Sequence, residues 1–173
     1  DNVRTRDFGG CKVGTLTFTG STTLTFNDGT VDGTCAANNS SSIDRKPNWT
    51  ITGARGWTVQ AKTTGTFGQR LTFTSGSTAT FENDGIRRFA TNASGDIVTD
   101  FTTKTTQAVT VTGIQRTNRV VNGGKFTITN NLNGSVCTVV PTNLTWNSSC
   151  TCPESGSITG SCTNGANYTL EMG

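Results

Sequence analysis

The sequence predicts an all-β fold, an antiparallel meander of three degenerate units of about 55 residues. The meander is expected to form a sandwich, a barrel or an extended sheet, stapled by disulfides. Three observations predict it. A strand-like phrase recurs at a spacing of 55 residues, as Leu16-Thr17-Phe18-Thr19, Leu71-Thr72-Phe73-Thr74 and Phe126-Thr127-Ile128-Thr129. Apolar and polar residues alternate with period two in segment after segment, the pattern of strands with one buried and one wet face. Six cysteines without a single histidine read as a disulfide framework rather than a metal site.

The elements follow in chain order. Val13, Leu16 and Phe18, then Leu24 and Phe26, predict two strands around a turn at Thr19-Gly20-Ser21. Residues 36–48, rich in Asn and Ser, read as the one long loop. Trp49 and Ile51, then Trp57 and Val59, flank a turn from Gly53 to Gly56. Phe67, Leu71 and Phe73 precede Ala79 and Phe81, and residues 82–100 read as a second irregular segment. Ile97 with Phe101, Val109 with Val111, and a run from Ile114 to Val121 follow. Phe126 with Ile128, Val136 to Val140, Leu144 with Trp146, Ile158, and Tyr168 to Met172 complete the series. Asn122-Gly123, Asn133-Gly134, Asn164-Gly165, Asp28-Gly29 and Asp84-Gly85 are hairpin signals. No stretch shows helical periodicity and no linker divides the chain, so residues 1–173 read as a single domain.

Composition narrows the class. Charged residues are 14% and hydrophobic residues 31%, both low for a globular domain. The net charge of +3 is too small for charge-driven disorder. Thr, a strand former, replaces the missing apolar residues, so an ordered sheet with a thin core is expected. Such a core needs staples. Cys11, Cys35, Cys137, Cys150, Cys152 and Cys162 allow many connectivities. In a meander the simplest pairs are near neighbours, Cys11–Cys35, Cys137–Cys150 and Cys152–Cys162, each contributing about 2–4 kcal/mol. Disulfides place the chain outside the cell or on its outer surface. No apolar run reaches the ~20 residues that span a bilayer, and Thr and Ser occupy the face that a membrane barrel would make apolar.

Functional residues are sparse. Without His, the Ser-His-Asp site and the usual general base are missing. Glu82 with Asp84, or Asp96 with Asp100, are the carboxylate pairs a glycosidase could use, but they read as turn and loop chemistry. The chain therefore reads as a non-enzyme with no cofactor and no metal. Arg4 and Arg6, Arg45 and Lys46, Arg87 and Arg88, and Arg116 and Arg119 read as edge charges. A nucleic-acid face would gather them with aromatics between, so no nucleic-acid partner is expected. Trp57, Trp49, Trp146 and Tyr168 are the candidate ligand-binding residues, a sugar platform if exposed and core fillers if not. Trp57, in its Gly-rich turn, is the best candidate for exposure. The expected role is a structural protein, a fibre or filament subunit or an adhesin, that associates with itself or with a surface partner, protein or glycan. The alternative is a carbohydrate-binding module.

The stretch from Cys150 through Pro153, Glu154, Ile158 and Gly160 to Cys162-Thr163-Asn164-Gly165, preceded by Leu144-Thr145-Trp146, resembles a segment of uncharacterised secreted or lipid-anchored surface proteins of Gram-negative bacteria. Residues 110–135, with Gly113 to Arg116 and Asn130-Asn131, resemble them more loosely. The resemblance implies a cell-surface β protein, either secreted or held by a lipid anchor outside this segment, and implies no activity.

Overall fold

The structure, a computed structural model, describes residues 2–28, 30–31, 37–38, 41–113, 118–146 and 152–173. Its first strands are β1 (Val3–Asp7), β2 (Cys11–Val13), β3 (Leu16–Asn27), β4 (Thr30–Val31), β5 (Ala37–Asn38) and β6 (Ser42–Thr52). Then come β7 (Thr58–Thr63), β8 (Gln69–Ser75), β9 (Thr78–Asn83), β10 (Ile86–Thr91), β11 (Ile97–Gln107) and β12 (Val109–Thr112). The last are β13 (Val120–Asn122), β14 (Lys125–Asn130), β15 (Val136–Thr145), β16 (Ser155–Cys162) and β17 (Asn167–Met172). β4 and β5 form a small ribbon of their own. All the others belong to one antiparallel sheet.

The pairings reduce that sheet to a strictly sequential meander. β1 and β2 both lie along β3, and β7 and β8 both lie along β6, each pair acting as one interrupted strand. β9 continues into β10, β11 into β12 and β13 into β14 in the same way. The rungs are thus β1/β2, β3, β6, β7/β8, β9/β10, β11/β12, β13/β14, β15, β16 and β17, ten in chain order, each paired with its neighbours in sequence. The recurring phrases fall on the second, fourth and seventh rungs, so the recurrence is one of strand chemistry along the meander.

The interruptions line up into a crease. It runs through residues 64–68, Asp84-Gly85, Ala108, Gly123-Gly124 and a register shift after Thr142. Hydrogen bonds stitch crease to crease: Thr64 N–H to the Gly85 carbonyl at 2.9 Å, Asp84 N–H to the Gly68 carbonyl at 3.0 Å, and Gly123 N–H to the Pro141 carbonyl at 3.1 Å. The sheet folds along this line and packs one face on itself. Phe81 of β9 and Phe126 of β14 lie two rungs apart, at least ~9.6 Å in a flat sheet, yet their ring centroids are 6.1 Å apart. The inner face carries the core: Ala61, Ala79, Ile86, Val109, Val139 and Leu144, with Phe26 further out. Ile86 and Val109, the most buried, come from opposite sides of the crease. The outer face is the Thr-rich one, with rows such as Thr17, Thr52, Thr58 and Thr91 in register across neighbouring rungs.

Several expectations are corrected here. The turn at Thr19-Gly20-Ser21 does not exist, because β3 runs straight through it and its hairpin partner turns at Gly14-Thr15. The loop placed at 36–48 ends by Ser42, where β6 starts, since its polar residues pair in register with β3 and β8 and Asp44 is buried under Arg70. Residues 82–100 hold β10 and the start of β11. Asp84-Gly85 and Asn122-Gly123 are crease residues, not hairpin turns. The hairpins at Gly53 to Trp57, Asn92 to Asp96 and Cys162 to Ala166 share one closure. In each, the first N–H bonds the last carbonyl, and a glycine of positive φ (Gly56, Gly95 or Gly165) bonds back to the first, the three-residue loop with a glycine bulge. Asp28-Gly29 and the run from Ile114 fall partly outside the described residues.

Candidate functional site

The acids of the outer face hold strands together. Asp44 of β6 takes both arms of the Arg70 guanidinium on β8, at 2.7 and 2.9 Å. Burial pushes the Asp44 carboxyl up, but hydrogen bonds from Arg70 and Asn27 and the charges of Arg70 and Lys46 outweigh it, and the net displacement is downward. Asp100 of β11, 4% exposed, takes Arg87 of β10 at 2.9 and 2.6 Å and the Asn131 amide at 2.7 Å. The Arg87 hydrogen bond holds its carboxyl below the ordinary value against the opposing effect of burial. Both arginines also lie over rings, Arg70 over Phe67 at 4.2 Å and Arg87 over Phe89 at 4.7 Å. Asp84 accepts the backbone N–H of Thr66, of Phe67 at 2.9 Å and of Gly68 at 2.7 Å. Asp96 closes the Asn92 turn. Asp84, Asp96 and Asp100, three of the four carboxylates considered from sequence, are therefore engaged in clamps and turns. No group of three or more metal-ligating side chains occurs among the described residues.

The four aromatic candidates do not converge. Trp57 is 37% exposed at the β6–β7 hairpin, its ring laid against Gly53. Trp49 is half-buried on the inner face opposite Ala61. Trp146 follows β15, its N–H bonded to the Arg119 carbonyl at 3.3 Å, and lines a pocket. Tyr168 is 42% exposed, and its ring covers Gly160 of the adjacent strand. No ring contact joins any two of the four among the described residues.

The cysteine pairing is also corrected. Cys137 bonds Cys162, not Cys150, and Cys162 is therefore not the partner of Cys152. The two residues face each other in the β15–β16 register. Because the Cys162 N–H bonds Ala166 on the β17 side, this is a non-hydrogen-bonded pair, where antiparallel strands approach most closely. Cys11 and Cys152 are exposed; Cys35 and Cys150 lie outside the described residues, and with them the expected Cys11–Cys35 bond.

Two concavities stand out among the described residues. A shallow groove of about 570 Å³ on the outer face is lined by Lys125, Thr138, Thr159, Ser161, Asn167 and Thr169, among others. The other, a half-open pocket of about 530 Å³, sits in the fold of the sheet. Leu71, Phe81, Val109, Val121 and Leu144 line it from neighbouring strands on one side of the crease, and Phe126 and Val139 from the other. Neither concavity had a signal in the sequence, because the lining residues carry the same alternation as the core. Comparison with protein-family models, with curated proteins and with solved structures returned no match.

Proposed function

We propose that the chain is an extracellular or cell-surface structural protein whose copies join edge to edge, in the manner of fibre, filament or adhesin subunits. A disulfide, and no helix long and apolar enough to cross a membrane among the described residues, are compatible with that location. The observation that supports assembly is the pair of outermost rungs. β1 pairs only with β3 and β17 only with β16 among the described residues, and both are exposed almost throughout. Ten antiparallel rungs are an even number, so the first and last run in opposite directions. β17 of one copy can then take β1 of the next and continue the alternation head to tail, a heterologous contact that does not close.

Local detail agrees. The Cys162–Ala166 bond sets a ladder in which Tyr168 and Leu170 turn their N–H groups to β16, and Asn167, Thr169 and Glu171 turn theirs outward. The bonds Phe26 N–H to Asn2 and Phe8 N–H to Gly20 likewise leave the N–H of Thr5 outward on β1. A continued sheet places Thr5 and Thr169 on the Thr-rich face and Arg4 and Arg6 on the face of Tyr168, where a guanidinium over a ring adds attraction. The clamped acids fit a non-catalytic role.

Size-exclusion chromatography with light scattering, over a wide concentration range, and electron microscopy test this reading. Oligomers that lengthen with concentration are expected, and Thr169→Pro, which removes an outward donor and leaves the β16 ladder intact, should return them to monomer. A wild-type chain that stays monomeric at the highest concentration overturns the reading. A glycan partner is the second reading, supported by the hydroxyl-lined groove around Thr159 and Ser161; a glycan array without a hit removes it.

A further inference from the structure

We propose that the pocket in the fold of the sheet is a binding site for a linear alkyl chain, carried by a fatty acid or by a membrane lipid. Of its thirteen lining residues, twelve are apolar and the other is Arg119, which already has an interaction within the protein. Such a lining gives a polar ligand almost nothing to bond and gives water no reason to stay. The volume of about 530 Å³ falls within the ~300–1,000 Å³ of small-molecule sites. It is several times the ~150 Å³ of an engineered apolar cavity that stays dry and binds benzene.

A packing fault of that size is a poor explanation. Phe81, Phe126, Leu144 and Trp146 surround the space without entering it, although the described core is otherwise lean and would gain from collapse. The shape selects the ligand. Ile158 of β16 forms part of the wall and stands opposite Leu170 of β17, which is 53% exposed. The apolar lining thus runs out of the fold along a strip that ends in solvent, a path suited to an extended chain. Arg119, being engaged, is assigned no headgroup, and the site is read as one for the chain alone.

The test is a series of saturated fatty acids, from hexanoate to tetradecanoate, titrated into the intact protein by calorimetry and by competition with a dansyl-labelled fatty acid. Affinity should rise about two- to fourfold per methylene and level off once the pocket is full. Val121→Trp, which puts an indole into the space, should weaken binding at least tenfold. Ile158→Thr, at the half-buried rim, should weaken it less while the melting temperature shows the protein folded. Phospholipid vesicles form a second arm: flotation with vesicles as well as fatty-acid binding identifies a lipid's chain as the occupant, and fatty-acid binding alone identifies the free acid. A flat chain-length series, equal binding by folded Val121→Trp, or no rise in melting temperature of the wild-type protein with saturating dodecanoate overturns the proposal. Each of these outcomes is independent of whether the copies assemble.

Discussion

Asp84 gathers the N–H groups of Thr66, Phe67 and Gly68 on one carboxylate and so fixes the five-residue break between β7 and β8. Hydrogen bonds to a charged acceptor contribute about 1.5–3 kcal/mol each and do not add fully. Asp84→Ala should therefore lose about 2–4 kcal/mol in urea unfolding, and Asp84→Asn, which keeps one acceptor oxygen, about half as much; an unchanged midpoint for both would show that the break holds itself. Asp44 and Asp100 make a second prediction, about pH. Both carboxyls lie below their ordinary value in the folded chain. Their contribution is therefore fully present above the unfolded value of about 3.9 and is lost as pH falls through the lower native values. Stability followed by urea unfolding at stepped pH should decline from about pH 5 downward. Asp100→Asn should be less stable at neutral pH and should decline less steeply. A wild-type curve that is level from neutral to strongly acidic pH would contradict the clamps.

At the scale of elements, the crease separates two adjacent glycines. Gly123 has φ +65° and open space where a Cβ would stand, whereas at Gly124, with φ +72°, a Cβ would meet the Ala108 carbonyl oxygen at 2.6 Å and Val109 Cα at 2.7 Å. The left-handed backbone alone costs roughly 1–2 kcal/mol for an L-residue. Gly123→Ala should lower stability by about 1 kcal/mol. Gly124→Ala, which adds a clash with backbone that cannot rotate away, should lose about 3 kcal/mol or more, a melting temperature about 6–12 °C lower. Equal shifts in calorimetry would mean that the crease is not packed at that point. The same crease explains what was legible. The alternating strands could be read because Thr and apolar positions differ in kind, and the hairpins at Gly53 to Trp57 and Asn164-Gly165 could be read from their glycines. Asp84-Gly85 and Asn122-Gly123 carry hairpin letters too. Whether such a pair reverses the chain or merely bends it depends on which strands pair alongside, and that is not local. The cysteines failed for a related reason, since a hairpin joins its first residue to its last, Cys137 to Cys162, across a separation of 25 residues.

At the scale of the whole molecule, a sequential meander folded across a crease has a graded stability. The middle rungs pack on two sides, along the sheet and across the fold, while β1 and β17 have one neighbour each among the described residues. Opening of an outer rung exposes few apolar groups, because nearly every residue of β1 and β17 already faces solvent. Opening at Ile86 or Val109, both 0% exposed, must separate the two halves of the sheet. Local openings of this kind span the range from almost nothing to the global unfolding energy. Hydrogen exchange by mass spectrometry should therefore rank β1 and β17 fastest, β3 and β16 next, and β9 to β12 slowest. The disulfide perturbs that order in one place: Cys137–Cys162 ties β16 to β15, so reduction should speed exchange in β16 and β17 and leave β1 unchanged. It should also remove about 3 kcal/mol of global stability through the 25-residue loop it closes. The pattern carries the assembly reading with it. If copies join through β17 and β1, those two strands, fast in dilute solution, should become protected as concentration rises while β9 to β12 stay as they were. Protection that rises evenly over all rungs would point to contact through the broad Thr-rich face instead.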